Sequence, residues 1–271
     1  MKLAVLSDIH GNITALETVL ADLDTVADVD AVWVLGDIAA HGPAPAATTD
    51  IIRERYEAAR AAAEQAKANG TEADVIPFKV IGGNTDRYLV TNARSARKPA
   101  EDADSYADLM RQYHSENSVL TWGAAQLGWA NYAFLAKRIG REISEKVDGY
   151  GLVMGYHAVP GDDEYNITPD TPDEEALDSV LDRPLRLGIY GHIHRQVNRD
   201  LGRVRLVNPG SIGMSFEKPG YAQYAIITFD EGAVAVEFRN LPYDVDAVVA
   251  LARAADHTDV AWLEKALREG F

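Results

Sequence analysis

The sequence predicts an α/β fold of four layers, an α-β-β-α sandwich in which a parallel-rich sheet faces a second, more antiparallel sheet and helices cover the outer faces. Three observations predict it. Strands and helices alternate early, short strands follow one another late, and residues 99–147 between them have helical patterns without a clear strand. We interpret 99–147 as a helical insertion or cap, and residues 1–271 as one domain of two mixed sheets, because α/β domains of roughly 200–250 residues are common.

The N-terminal elements follow from apolar runs and helical spacing. Lys2–Ser7 is apolar and β-prone, and the apolar positions that follow from Ile13 to Leu23 recur at helical spacing. Asn12 lies at the start of that helix and suits an N-cap. The next predicted elements are a strand over Ala31–Leu35, a helix over Thr48–Asn69 and a strand over Val75–Ile81.

The C-terminal part contains the consecutive strands. Residues 161–175 carry seven acidic residues and no basic one, which predicts a solvated loop. Thr171 and Pro172 predict a helix start, with a capping box and proline at the first helical position. The remaining predicted elements are strands over Gly151–Gly155, Leu185–Tyr190, Val204–Val207, Tyr224–Phe229 and Ala233–Phe238, and helices over 244–256 and 258–269.

Composition and charge exclude several classes of function. The 26 basic and 42 acidic residues give a net charge of −16, which disfavours binding to polymeric nucleic acid or to an anionic membrane surface. The chain has no cysteine, so disulfides, thiolate zinc sites and thiol catalysis are excluded. Leu3–Leu6 is too short for a signal peptide, and no apolar run approaches the ~20 residues of a membrane helix. We therefore expect a cytoplasmic protein.

Polar side chains follow five of the predicted strands directly. They are Asp8 and His10, Asp37, Asn84, His157, and His192 with His194. Because loops at the carboxyl ends of parallel strands converge, we expect these residues to meet in one crevice. Carboxylate, imidazole and amide ligands without sulfur suit Mn, Fe, Zn or Ni. Seven side chains are too many for one tetrahedral zinc but suit two metals that share a carboxylate. Taken singly, Asp8 or Asp37 would more simply be a helix cap or turn former, and His192 or His194 a buried or surface histidine.

Together these motifs resemble the calcineurin-like metallophosphoesterase superfamily. The motifs are Asp8-x-His10, Gly36-Asp37, Gly83-Asn84, His157 and Gly191-His192-Ile193-His194, and the resemblance spans residue 3 to about residue 215. Asn208-Pro209-Gly210-Ser211 and His41-Gly42-Pro43 further resemble the bacterial YfcE-like phosphodiesterase branch, which includes relatives of a retromer subunit. The long segment 99–147 resembles the branch that contains diadenosine-polyphosphate hydrolases.

The resemblance implies a role for each motif residue. It implies two divalent ions, with Mn favoured and Fe, Zn or Ni as alternatives. One ion would be held by Asp8, His10 and His194, the other by Asn84, His157 and His192, with Asp37 bridging both. A hydroxide between the ions would attack phosphorus, and Asn84 would also contact a phosphoryl oxygen. The backbone N–H groups of Gly11 and Asn12, at a helix start, would suit a substrate anion.

One position departs from the family pattern. After Gly-Asn, most such phosphoesterases carry a histidine that protonates the leaving group, but here Thr85 follows and then Asp86. A threonine hydroxyl has no pKa suited to general acid catalysis near pH 7. His41 is one candidate for the missing acid. Asp86 would orient a neighbour or cap a turn, and Arg87 would contact a substrate phosphate or only balance the acidic surface.

The expected function is therefore a phosphoesterase for substrates with good leaving groups. Phosphoanhydrides and aryl diesters expel better leaving groups than alkyl monoesters and need a general acid less. We therefore expect diesters or nucleoside polyphosphates, a small phosphorylated substrate that includes nucleotides. One alternative is a phosphomonoesterase that acts on proteins or small molecules. The other is a scaffold that keeps the fold without catalysis. The sequence leaves the physiological substrate and the oligomeric state open.

Overall fold

The computed structural model describes residues 1–71 and 75–270. It contains two five-stranded mixed sheets that face each other, with helices outside them. The α/β sandwich predicted from the sequence is therefore confirmed.

The first sheet holds the N-terminal strands at its centre and has the order β10-β9-β1-β2-β3. Its strands are β1 (Lys2–Leu6), β2 (Ala31–Val34), β3 (Phe78–Val80), β9 (Tyr221–Asp230) and β10 (Ala233–Pro242). β1, β2 and β3 are parallel to one another, whereas β9 runs antiparallel to both β1 and β10. Apart from Lys2, β1 and β2 are apolar because both of their faces are buried.

The second sheet has the order β4-β5-β6-β8-β7. Its strands are β4 (Ile143–Val147), β5 (Gly151–Gly155), β6 (Leu187–Ile189), β7 (Gln196–Asp200) and β8 (Arg205–Pro209). β5, β6 and β8 are parallel, and the two edge strands β4 and β7 are antiparallel to their neighbours. In both sheets, the carboxyl ends of the parallel strands carry the loops with the predicted polar residues.

Eight helices lie within the described ranges. They are α1 (Ile13–Leu23), α2 (Pro45–Asn69), α3 (Asn84–Thr91), α4 (Ala103–Gln126), α5 (Gly128–Ala136), α6 (Asp173–Asp178), α7 (Val245–Ala254) and α8 (Val260–Glu269). Asn12 caps α1 as predicted, because its side chain accepts a hydrogen bond from the Ala15 N–H at 3.1 Å. None of the helices in these ranges has both the length and the apolar character needed to cross a membrane.

Two apolar cores hold the layers together. Trp33, Val5 and Leu3 from the first sheet pack in one core with Val153 and Leu187 from the second. The other core lies between the first sheet and its helices. The sheets are thus locked face to face by buried apolar surface, which provides a rigid base for the loops at their carboxyl ends.

Several predicted elements are corrected by the structure. Residues 99–147 are not wholly helical, because β4 occupies Ile143–Val147, and β7 was not predicted. Both are edge strands made mostly of polar residues, ISEKV and QVNRD, and neither has a continuous apolar run or a regular alternation. The predicted capping box at Thr171 is absent: its hydroxyl accepts from the Thr168 N–H at 2.9 Å, and Pro172 precedes α6 without a side-chain cap.

Candidate metal centre

The seven predicted polar side chains meet at one edge of the sandwich. The first sheet contributes Asp8 after β1, Asp37 after β2 and Asn84 at the start of α3; the second contributes His157 after β5 and the two histidines after β6. Asp8, His10, Asp37, Asn84, His157 and His194 are buried, and His192 is half-buried. The convergence expected from strand direction therefore occurs between the two sheets as well as within each sheet.

Left-handed backbone conformations are concentrated at this site. Positive φ angles occur at Asp8 (54°), His10 (50°), Asp37 (52°), His41 (81°), His192 (69°) and His194 (54°). Such conformations cost non-glycine residues of order 1–3 kcal/mol each and persist only where the surrounding structure enforces them. Here the backbone N–H of Asp8 donates to the Gly36 carbonyl and that of His10 donates to the Asp37 carbonyl. These bonds tie the first two loops together and turn the side chains inward.

Each histidine of the cluster places one ring nitrogen against a backbone carbonyl. The contacts are His10 Nδ1 to Ala40 O at 3.2 Å, His157 Nδ1 to Leu35 O at 2.7 Å, His194 Nδ1 to Met214 O at 2.7 Å and His192 Nε2 to Glu164 O at 3.1 Å. A carbonyl only accepts, so we assign the ring hydrogen to that nitrogen. The opposite nitrogen of every ring then faces the centre of the site, as in metal-binding histidines, and it can bind a metal wherever it carries no proton.

Two of these ring nitrogens face each other. His10 Nε2 lies 2.9 Å from His194 Nε2, although each ring already donates its hydrogen elsewhere. Burial, followed by the charge of His194, lowers the pKa of His10 to about 3, so a proton on His10 does not bridge the pair near neutral pH. With His10 neutral, the two ring nitrogens stay at this distance only if they share a cation, which is either a proton on His194 or a metal ion in its place. This donor set therefore fits a divalent metal ion.

Asn84 forms a similar arrangement on the other side. Its Oδ1 lies 3.0 Å from His157 Nε2 and 3.1 Å from His192 Nδ1. In each ring it is the other nitrogen that contacts a backbone carbonyl. An amide oxygen and two imidazole nitrogens form a hard, sulfur-free donor set suited to a second cation.

The two carboxylates lie between these groups. Asp8 Oδ1 is 3.4 Å from His194 Nε2, while Asp37 Oδ2 is 3.4 Å from His157 Nε2 and 3.7 Å from His10 Nε2. One Asp37 oxygen thus faces both halves of the cluster, which is the position a bridging ligand requires.

The same arrangement accounts for the ionisation of both carboxyl groups. Burial acts to raise the pKa values of Asp8 and Asp37, but the imidazoles beside them, led by His194 and His157 respectively, outweigh it and hold both below the ordinary value. For His157, burial acts to lower the pKa, but the charge of Asp37 outweighs this effect and raises the pKa of the His157 ring to about 10. The carboxylates are therefore ionised near neutral pH. Asp8 with His10 and His194, and Asp8 with Asp37 and His157, each have ligand atoms within 4.8 Å of one another.

The start of α1 does not offer the anion site expected from the sequence. The backbone N–H of Gly11 donates to the Ile38 carbonyl at 2.9 Å, and that of Asn12 donates to the Ile9 carbonyl at 3.1 Å. The Asn12 side chain caps the helix and donates to the Gly213 carbonyl at 2.9 Å. These groups are already paired within the protein, so this geometry argues against their binding a substrate anion.

Asp86 connects the loop of Asp37 to the loop of Asn84. It is fully buried, and its carboxylate accepts the backbone N–H groups of Ile38 (3.0 Å), Ala39 (3.4 Å) and Gly83 (3.1 Å). Burial, with the charge of Asp37, raises its pKa to about 7. Of the two roles considered from the sequence, orientation of neighbouring groups is the one this geometry favours.

Arg87 is held by the acidic loop. Its Nε and Nη2 donate to the two Asp163 oxygens at 2.8 and 2.7 Å, and Nη2 also donates to Glu164 at 2.5 Å. These carboxylates raise its pKa above the ordinary value. The sequence predicted a solvated loop, but two of its acidic side chains bind Arg87. The guanidinium that was predicted to contact substrate is therefore already paired. Because Glu164 O also bonds His192, this ion pair supports the metal centre from outside.

His41 forms the wall between the cluster and a neighbouring cavity. Its ring centroid lies 5.2 Å from that of His10 and 5.4 Å from that of Trp262. The cavity, of about 520 Å³, is lined by residues of α4 and α8, so the predicted insertion does contribute a wall beside the site. Burial lowers the pKa of His41 to about 4, so its ring is neutral near pH 7. This argues against its prediction as the general acid.

Several supporting contacts had no signal in the sequence. The carbonyls that orient the histidines are backbone atoms, so residue type does not reveal them. Two side chains from the Asn208-Pro209-Gly210-Ser211 motif also act here. Ser211 Oγ donates to the Asp8 carbonyl at 2.8 Å, and Asn208 Nδ2 donates to the Gly191 carbonyl at 2.6 Å. The motif suggested only a loop beside the histidines; its bonding to the metal-site backbone required the structure.

Comparisons with known proteins agree with this geometry. Residues 1–232 match the family model described as the calcineurin-like phosphoesterase superfamily domain. Among solved structures, a metallophosphoesterase from Sphaerobacter thermophilus is 20% identical with a TM-score of 0.68, the match covering 100% of this chain and 99% of that chain. The hypothetical protein PH1004 from Pyrococcus horikoshii OT3 is 19% identical with a TM-score of 0.75, covering 100% and 98%. At these identities the likeness shows the fold. Comparison with curated proteins gives no match.

Proposed function

Because this chain belongs to the calcineurin-like phosphoesterase superfamily, a family of metal-dependent phosphoesterases, we propose that it hydrolyses phosphodiesters or nucleoside polyphosphates. The observation that carries a catalytic metal centre is the pair of facing ring nitrogens of His10 and His194, 2.9 Å apart with both Nδ1 atoms bound to carbonyls. A scaffold has no physical need for two buried ring nitrogens that must share a cation. The proposal therefore favours an enzyme over the scaffold alternative.

The proposed ligands divide into two sets that share one carboxylate. Asp8, His10 and His194 would hold one ion, Asn84, His157 and His192 would hold the other, and Asp37 would bridge them. When bound, two divalent ions would supply positive charge for the phosphoryl oxygens and would lower the pKa of a water molecule that attacks phosphorus. The oxygen and nitrogen donors suit Mn well, with Fe, Zn or Ni as alternatives.

The chain itself keeps these ligands in place. Backbone carbonyls hold the imidazole rings in the tautomer that leaves a lone pair at the centre. The Thr85 N–H donates to Asp37 Oδ1 at 2.9 Å, which leaves Oδ2 directed at both halves of the site. Asp86 holds the two loops at a fixed separation through its three backbone bonds. Because the ligands are already in position, no free energy of substrate binding or of the reaction is needed to arrange them.

The preference for diesters and polyphosphates rests on the lack of a suitable acid beside Asn84. Thr85 follows Asn84, and its buried Oγ1 has no hydrogen-bond partner within the described part of the chain. That hydroxyl is buried, and its pKa is too high to deliver a proton at neutral pH. His41 is neutral there because burial lowers its pKa to about 4. Aryl diesters and phosphoanhydrides release weakly basic groups, so they depend least on an acid.

The experiment compares two chromogenic substrates. Protein dialysed against EDTA is assayed with bis-p-nitrophenyl phosphate and p-nitrophenyl phosphate, with and without Mn²⁺. We expect Mn²⁺-dependent turnover, with a higher kcat/KM for the diester; because both substrates release p-nitrophenolate, this ratio compares a diester with a monoester at an equal leaving group. The Asp37→Asn variant is expected to lose turnover, whereas Asp182→Asn, at an exposed aspartate outside the site, is expected to retain it. Repeating the assay with Fe²⁺, Zn²⁺ and Ni²⁺ tests the preference for Mn.

The alternatives predict different results. A higher kcat/KM for the monoester would replace the proposal with a phosphomonoesterase. No turnover of either substrate at confirmed metal occupancy would favour the scaffold.

A further inference from the structure

A second large cavity lies away from the metal centre. Its volume is about 840 Å³, within the range of small-molecule sites, and it opens between α2, α5 and the edge strands β3 and β4. None of the seven proposed metal ligands lines it. Six basic residues do: Arg53, Arg60, Lys79, Lys137, Arg138 and Arg141. The acidic residues in its lining are Glu57 and Glu142. This excess of cations is the opposite of the net charge of −16 of the whole chain.

Half of these cations are already neutralised. Arg53 pairs with Asp50 and Glu57, Arg60 pairs with Glu64, and Lys79 pairs with Glu145. For Lys137, Arg138 and Arg141, by contrast, no carboxylate in residues 1–71 and 75–270 lies within 4.0 Å. These three cations are close in sequence, in the segment that connects α5 to β4, and they line the same cavity. The cavity therefore carries uncompensated positive charge.

Arg138 is the most informative of the three. It is only 7% exposed, and its guanidinium lies over the rings of Phe134 at 3.5 Å and Tyr56 at 4.2 Å. Its Nη1 donates to the Phe134 carbonyl at 2.7 Å, but its buried Nε has no partner in the described ranges. Arginine stays charged in proteins, and a buried charge is costly unless it is paired. The two aromatic rings offset part of this cost, and Nε remains without an acceptor in the described ranges.

We propose that this cavity binds a small oxyanion, such as the phosphate group of a phosphorylated metabolite. Arg138 would bind it from the buried side, and Lys137 and Arg141 from the exposed side. Trp129, which is 79% exposed, also lines the cavity and offers a face for a planar ring attached to that phosphate. The Arg138 carbonyl accepts the Gly82 N–H at 2.9 Å, so the anion would bind directly behind the loop that leads to Asn84.

The test uses thermal unfolding with inorganic sulfate, which stands in for phosphate without being a substrate or product. Chloride of equal ionic strength controls for salt. Lys137→Gln combined with Arg141→Gln removes the two exposed cations. Arg111→Gln combined with Lys265→Gln removes the same charge at exposed positions that do not line the cavity. We expect a saturable rise in Tm for the wild type and the control, with half-saturation at least tenfold higher in the cavity variant.

Arg138→Met supplies a second variant at the buried position. Replacing a buried, unpaired charge by an apolar side chain of similar length is often neutral or stabilising, so we expect this variant to fold and to lose the sulfate response. A Tm rise that is equal in all variants would overturn the proposal, because it would reflect salt exclusion. A rise that Asp37→Asn abolishes while the cavity variants retain it would also overturn it, because sulfate would then bind the metal centre.

Adenosine 5′-monophosphate distinguishes the sources of the anion. If adenosine 5′-monophosphate gives half of its Tm rise at a concentration well below that of sulfate, and Trp129→Ala removes this difference, the ligand is a nucleotide. If the two concentrations are equal, the ligand is the free oxyanion. The readout is binding and needs no turnover. The fate of this proposal is therefore independent of the proposed phosphoesterase activity.

Discussion

Gly83 lies at the contact point of the two halves of the metal centre. It is the N-cap of α3, and its φ of −102° is open to any residue, so alanine introduces no backbone strain there. A Cβ at this position would lie 2.2 Å from Asp37 Oδ1 and 2.5 Å from His157 Cε1. Ordinary carbon contacts begin near 3.5 Å, so the carboxylate, the ring or the loop must move by about 1 Å. Gly83→Ala is therefore expected to displace the proposed ligands Asp37 and His157 by steric contact alone.

The expected magnitudes follow from that displacement. Overpacking of this kind costs about 1–3 kcal/mol in the free energy of unfolding. Displacement of Asp37 also strains the bond from Thr85 N–H that orients it. Disturbed support of metal ligands weakens metal affinity by about 10–100-fold. A misplacement of about 1 Å in a catalytic group reduces the rate by about 100-fold.

The assays are urea unfolding, titration of EDTA-treated protein with Mn²⁺, and hydrolysis of bis-p-nitrophenyl phosphate. Gly123→Ala in α4 is the matched control, because its Cβ would meet only Leu89 Cδ2 at 3.5 Å, an ordinary contact. We expect that change to stabilise the helix by about 0.5–1 kcal/mol without affecting the rate. If Gly83→Ala keeps the wild-type rate and Mn²⁺ affinity within about twofold, the assignment of Asp37 and His157 to one centre is wrong.

Three further predictions follow from buried polar groups. Asn12→Ala removes a helix cap and a bond to a loop carbonyl, and should lower the free energy of unfolding in urea by about 1–2 kcal/mol, more than Asp244→Ala at the exposed cap of α7. Asp86→Ala leaves buried backbone N–H groups unpaired and should cost about 1–3 kcal/mol; an unchanged urea midpoint would refute its positioning role. The folded-state pKa values of His10 and His41, about 3 and about 4, lie below the ordinary 6.5. As the pH falls below 6.5, the unfolded chain takes up protons at these histidines before the folded protein does. The free energy of unfolding therefore has its full value above pH 6.5 and decreases as the pH falls toward 4. In EDTA, the urea midpoint should fall over that window, and His41→Asn should make the fall shallower.

The agreement between sequence and structure is best where the signal is local and repeated. β1, β2 and β5 were predicted because they are continuous apolar runs that end in a polar residue, and the structure places them within a residue or two of the expected bounds. β4 and β7 were missed because these edge strands are mostly polar and have neither an apolar run nor a regular alternation. A helix does begin at Asp173, but the predicted capping box at Thr171 failed because a bond within its own turn competes with the cap.

The sequence by itself determined which side chains assemble at the centre, because each lies just after a strand and strand direction brings those ends together. Only the tertiary structure decided what these side chains and their neighbours can do. The tautomers of the four histidines, the pairing of Arg87 by Asp163, the occupied N–H groups of Gly11 and the unpaired charge of Arg138 all depend on partners from distant segments. Residue type and spacing are local properties, whereas hydrogen-bond partners, burial and pKa are properties of the packed environment.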